Sequence, residues 1–294
     1  MTELPWRRET WQHATGVPAW SAATSRSAPE KFRSDLLPGV TPDWAWGGAD
    51  GAGIHVCVLD SGVDGSHPLI GTVTQSMKVT TAESGSVKVV ECEAEDLAGH
   101  GTACAGIIRS LAPAVSLSSV RVLTEGRSGS GEALLAGLRW AIDQGFDLIN
   151  LSLATAKEDL ATQLHSLIDR AFFRRSTLVV SANNRPVRSY PWSFASVISV
   201  ASHDEPEPMK YYVNPSPPAE YFARGVSVPI AWSGGGRIRS TGNSFAAPHI
   251  TGICALILSK HPWLTPTQLK SALFQCAHNM IPELERFDDY HGVR

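Results

Sequence analysis

The chain has 294 residues, 43% of them hydrophobic and 18% charged, with a formal net charge of −3 and a pI near 6.4. That composition suits a globular core and excludes a wholly disordered chain. The near-neutral balance leaves no electrostatic footprint for nucleic acid or an anionic membrane, so neither is expected as a partner.

The N-terminal stretch "MTELPWRRETWQHATG" mixes acidic, basic and Trp residues and lacks the apolar run that a secretory signal needs. No later segment reads as apolar enough to span a bilayer. Cys57, Cys92, Cys104, Cys254 and Cys276 form an odd set without paired spacing. Free thiols in a reducing compartment suit that set better than a disulfide framework. The expected location is the cytoplasm.

Residues 1–35 hold Trp6, Trp11 and Trp20 among Ser, Ala, Pro and Arg, without helical or strand periodicity. They read as an N-terminal extension: either a disordered lead, or a segment that lies across a cleft or engages a regulatory partner. From "GIHVCVLDSGVD" onward, short β-rich runs such as "IHVCVLD", "VSLSSVRVL", "DLINLSL", "TLVVSAN" and "SVISVAS" alternate with helical patterns such as "EALLAGLRWAIDQG" and "DLATQLHSLIDRAFFRR". This alternation predicts an α/β fold of three layers, a mostly parallel central sheet flanked by helices. No repeat or linker divides residues 36–294, so one domain is expected there.

In such a sheet, ligands gather at the carboxyl ends of the strands. Asp60 ends the strand-like "HVCVLD"; taken alone, a turn or cap role explains it better. His100 stands between Gly99 and Gly101 in "LAGHGTACAGII", as though backbone had to approach on both sides, and a helical run follows. His100 and Cys104 are four apart, a spacing that points both at one metal on a helix, but no third ligand follows and general-base work ranks higher. Ser244 in "STGNSFAAPHITG" precedes an apolar helical segment. Pro248 is read into that helix's first turn, which sets Ser244 at an N-terminus whose dipole favours negative charge. A serine nucleophile needs a base that is itself oriented by a third group, and Asp60, His100 and Ser244 supply those parts. "GNSFA" resembles the G-x-S-x-G elbow, but there the serine precedes its acid and histidine, and here it comes last.

The segments "VLDSGVDGSHP", "GHGTACAG" and "GNSFAAPHITGICALILSKHP" resemble the three signature segments of the subtilisin-like serine proteases, and the similarity runs from about Leu37 to the end of the chain. The resemblance implies a serine endopeptidase acting on proteins or peptides. In that reading His100 takes the proton of Ser244 and Asp60 holds the imidazole; Asn184 of "TLVVSANN" and the Ser244 N–H hold the oxyanion. Asn183 stands where the family has Gly, and Asn tolerates left-handed backbone. The resemblance further implies that Gly129, Ser130 and Gly131 pair with the substrate as an added strand. Ser152, Leu153, Ala154 and Thr155 would form the opposite wall, Thr155 adding bulk at the S1 entrance. The short loop "NNRPVRSYPW" brings Arg185, Ser189 and Arg188 to the rim or floor of S1. An acidic or polar P1 side chain is then expected, the alternative being a solvated pair of surface arginines.

Some positions depart from the family pattern. Asn243 replaces a Thr before the nucleophile, its amide being a candidate donor, and Ala103 replaces a frequent His. The segment Gly106 to Leu117 lacks the inserted calcium-binding loop of secreted relatives, so no cofactor is expected to be required, and structural calcium stays open only at oxygen-ligand sites elsewhere, without a recognisable loop. No folding prodomain of the secreted type is visible, and the chain stops at "DDYHGVR" about where relatives continue, as a trimmed chain would. Near that end Thr265 and Pro266 open a helix as cap and first residue. Narrower alternatives are a processing protease dedicated to one precursor, a partner-activated protease, and a pseudoprotease that only binds peptides.

Overall fold

A computed structural model of the chain describes residues 16, 32–33, 39–83, 85–124, 129–216 and 218–281. Trp6, Trp11, Trp20 and the final "DDYHGVR" lie outside the described residues, so the roles expected of residues 1–35 fall almost wholly outside them.

The described chain opens with β1 (Phe32–Arg33), α1 (Pro42–Trp46) and β2 (His55–Asp60). The hairpin β3 (Gln75–Thr81) and β4 (Val87–Glu91) leads to α2 (His100–Leu111) and β5 (Ser116–Arg121). Next come α3 (Gly131–Gln144), β6 (Leu148–Leu151), α4 (Ala161–Phe173) and β7 (Thr177–Ser181). Strands β8 (Ile198–His203), β9 (Tyr211–Val213) and β10 (Tyr221–Arg224) follow, then the hairpin β11 (Val228–Trp232) and β12 (Gly236–Ser240). The last elements are α5 (Asn243–Lys260), α6 (Pro266–Gln275) and β13 (Met280–Ile281). β1 pairs in parallel with β13, so the segment read as an extension is tied to the C-terminal strand at residues 32–33.

Nine strands form one sheet in the order β4-β3-β5-β2-β6-β7-β8-β10-β9. The seven from β3 to β10 in that order run parallel, and β4 and β9 close its edges antiparallel. The reason is visible in β2: five successive residues, Val56 to Asp60, are buried, as a strand covered on both faces requires. Helices α2 and α5 pack on one face with α6 outside α5, and α3 and α4 pack on the other. The expected three layers are therefore present. From β2 the chain steps to β5 on one side and later crosses to β6 on the other, which opens a crevice at the strand ends where Asp60, Ser152 and Ala182 emerge.

Helix α5 is the centre of its layer. It is buried from Asn243 to Leu258, and a helix apolar on all sides belongs in a core. Its far end is fixed to α1, where Lys260 Nζ donates to the carbonyls of Asp43 (2.6 Å) and Gly47 (3.0 Å) and His261 stacks on Trp44 at 4.0 Å. The helix is thus anchored at the end away from Ser244.

His249 lies fully inside α5's packing, 2.8 Å from the Phe245 carbonyl, and burial pushes its pKa down to about 4. The unfolded chain holds this proton below about 6.5, and the folded chain refuses it until near 4, so stability is complete above the first value and lost as pH falls toward the second. The loss amounts to about 3 kcal/mol. The melting temperature should drop between pH 6.5 and 4, and the slope should flatten in His249→Asn, which keeps a donor for the Phe245 carbonyl. An unchanged slope would assign the acid sensitivity to other groups.

Candidate active site

Asp60 ends β2 and is fully buried. Its Oδ1 accepts the Ser61 N–H at 2.8 Å, and His100 Nδ1 lies 2.8 and 2.9 Å from its two oxygens. A carboxylate oxygen accepts, so in the neutral imidazole Nδ1 carries the proton and Nε2 keeps its lone pair. His100 and Ser244 line one cleft of about 380 Å³, and Phe245 packs 5.5 Å from the imidazole.

The approach of His100 to Asp60 depends on the two glycines. Gly99 caps α2 in left-handed backbone (φ 75°), and a Cβ on Gly101 would lie 2.0 Å from the Gly62 carbonyl and 3.1 Å from Asp60 Cβ. Asp96 locks this junction. Its Oδ1 accepts from Ser61 Oγ (2.7 Å), Ala98 N (3.0 Å) and Gly99 N (2.8 Å), and its Oδ2 from Thr102 N (2.7 Å) and Oγ1 (2.6 Å). Ser61 Oγ in turn accepts the Gly101 N–H at 3.1 Å. Sequence reasoning passed over Asp96; the available signal was an acid shortly before a helix start.

Ser244 is the second residue of α5, after an extended Gly242 (φ 171°). Its N–H, in the first turn, has no acceptor within the helix. Pro248 lies one turn inside α5, not in its first turn as the sequence suggested, because the helix starts at Asn243. The missing Pro248 N–H would have bonded the Ser244 carbonyl. That carbonyl instead accepts from Ser152 Oγ (2.9 Å) and Cys104 Sγ (3.5 Å). Ser152 Oγ is itself held by Asn150 Nδ2 (3.1 Å), and Asn150 Oδ1 by Thr251 Oγ1 (2.9 Å). Ser152 therefore lines the cleft and also anchors the backbone of Ser244. The ligand atoms of Asp60, His100 and Cys104 lie within 4.8 Å of one another, yet burial raises the Cys104 thiol well above its usual pKa. A thiol held neutral is a poor metal ligand.

Asn184 lines the same cleft. Its Oδ1 accepts the Asn243 N–H at 2.9 Å, which leaves the amide NH₂ as its donor half. Asn243 is buried, with Oδ1 accepting from Ser202 N (3.0 Å) and Oγ (2.8 Å) and Nδ2 donating to the Asn183 carbonyl (3.2 Å). It braces the loop against α5 and is not the extra oxyanion donor considered from sequence. Asn183 is not left-handed either: among the described non-glycine residues only Arg175 and Ser227 have positive φ. Its amide donates to Ser189 Oγ (3.2 Å) and accepts the Arg185 N–H (2.9 Å).

Leu153, Ala154 and Arg185 line the cleft, with Leu123, Ser240 and Thr241, which sequence reasoning had not singled out. Other expected contacts are displaced. Thr155 does not line the cleft but exchanges backbone hydrogen bonds with Tyr190 (2.9 and 2.8 Å). Ser189 is fully buried and accepts Trp192 Nε1 at 2.8 Å, so it braces the loop from within and does not floor S1. Arg188 turns away, over the Tyr190 ring at 5.5 Å and 3.9 Å from Glu158. Ser130 has extended backbone but caps α3, which already contains Gly131, so the extended run expected over Gly129, Ser130 and Gly131 ends a residue early. None of those three lines the cleft.

A serine at a helix N-terminus, an imidazole oriented by a buried carboxylate and an amide donor around one cleft are the parts for acyl transfer. The model of the subtilase family, peptidase S8, matches residues 51–291. Subtilisin DY of Bacillus licheniformis is 31% identical over 250 residues, which cover 79% of this chain and 86% of its own length. Subtilisin E of Bacillus subtilis (strain 168) is 30% identical over 244 residues, covering 77% of this chain and 61% of its own. Among solved structures, a cold adapted subtilisin-like serine proteinase matches with a TM-score of 0.62 at 26% identity, covering 77% of this chain and 83% of that one. No helix among the described residues is long and apolar enough to cross a membrane. The chain belongs to the subtilase family and is a serine-type endopeptidase.

Proposed function

We propose that Asp60, His100 and Ser244 hydrolyse peptide bonds as a triad through an acyl-enzyme, with the Asn184 NH₂ and the Ser244 N–H as oxyanion donors. The observation that carries this reading is the double contact of His100 Nδ1 with Asp60, in the cleft shared by Ser244 and Asn184. Nε2 takes the serine proton as Oγ attacks the carbonyl, then delivers it to the leaving amine; water repeats the cycle on the ester. A pseudoprotease would have no use for a carboxylate buried against an imidazole, an arrangement that costs desolvation. A reducing compartment is part of the reading, supported by the five cysteines, all free.

The test is covalent labelling with a fluorophosphonate. Wild type should label and Ser244→Ala should not, while Asn184→Ala should lower kcat about 10²–10³-fold, the magnitude found for the corresponding donor in a subtilisin. Labelling that persists in Ser244→Ala would sink the assignment.

A further inference from the structure

We infer that Arg185 selects a carboxylate side chain on the residue whose carbonyl is attacked, an inference that rests on the protease reading above. Ser244 and Asn184 fix where that carbonyl sits. Its side chain then falls between two walls at the ends of the parallel neighbours β6 and β7, Ser152 to Ala154 on one side and Ala182 to Arg185 on the other.

Among the described residues that line this cleft, Arg185 carries the only permanent charge and none contributes a carboxylate; Asp60 is fully buried beneath His100. The backbone of Arg185 is fixed by its N–H to Asn183 Oδ1, and Asn183 is held by Ser189 and Asn243. Arg185 is exposed, and its guanidinium makes no hydrogen bond or ion pair with any described residue. The other arginine of the loop, Arg188, is committed to Tyr190 and Glu158. A planar guanidinium on a fixed backbone, at a cleft to which no described residue brings a competing carboxylate, pairs with a carboxylate through two parallel hydrogen bonds. A bound peptide displaces water from the cleft, so the pair is stronger than one on an open surface.

The experiment measures kcat/KM on peptides identical except for Glu, Gln, Leu or Lys at the cleaved residue, with fluorophosphonate labelling of the same wild-type sample. Glu should exceed its neutral isostere Gln by about tenfold, the advantage shrinking as salt is raised. Arg185→Glu should invert the order in favour of Lys. A labelled wild type that cleaves Glu no faster than Gln overturns the inference, as does a Glu preference that survives in Arg185→Glu. A wild type that neither labels nor cleaves any peptide overturns the protease reading, and this inference with it.

Discussion

Asp60→Asn should lower kcat by about 10⁴-fold with KM and melting temperature nearly unchanged, the size of the equivalent loss in other triad proteases. The variant keeps the shape of the side chain, and a carbonyl oxygen can still accept the Ser61 N–H that now bonds Oδ1 at 2.8 Å. The change falls on His100. Both carboxylate oxygens now face Nδ1, at 2.8 and 2.9 Å, and hold its proton there. An amide NH₂ in that place donates to Nδ1, which drives the imidazole proton to Nε2 and leaves no lone pair to accept the proton of Ser244. The loss therefore belongs to the chemical step and not to binding. The check is kcat and KM on a peptide substrate beside a thermal melt of the same sample. A fall smaller than tenfold in a folded variant would mean that His100 is not the base.

Asp60, His100 and Ser244 were legible as candidates for a triad because nucleophilic catalysis restricts residue type, and because they stand at strand and helix ends that apolar patterning marks. The parallel sheet was legible for a related reason: strands buried on both faces, such as β2, read as unbroken apolar runs. The supports of the site left no such trace. Asp96 is an ordinary loop acid until five donors converge on it. Ser152's hold on Ser244 follows only from where α5 begins, because that start decides whether Pro248 orphans the Ser244 carbonyl. Helix starts read from sequence are uncertain by a residue or two, and Gly131 shows the same effect at α3. The loop after Asn184 misled for another reason. Side-chain directions there are set by tertiary partners, Trp192 for Ser189 and Tyr190 with Glu158 for Arg188, and no periodicity encodes them.

Arg109→Met should lower the melting temperature by about 5–10 °C without removing the active site. Arg109 lies in the last turn of α2, half-buried. Its Nε donates to the Ile70 carbonyl (3.1 Å), Nη1 to those of Pro113 (2.9 Å) and Val115 (2.6 Å), and Nη2 to that of Thr72 (3.2 Å). One guanidinium thus joins the turn between α2 and β5 to the segment that enters β3. Methionine keeps much of the alkyl packing and removes the donors. Hydrogen bonds to a charged group contribute about 1.5–3 kcal/mol each when buried, but water reaches part of this site, so the net loss is about 2–3 kcal/mol. For a domain of this size that converts to the stated shift. Lysine should recover only part of the loss, since a compact ammonium cannot span four carbonyls as a planar fork does. A shift of under about 2 °C in Arg109→Met would show that the two segments are held by packing alone.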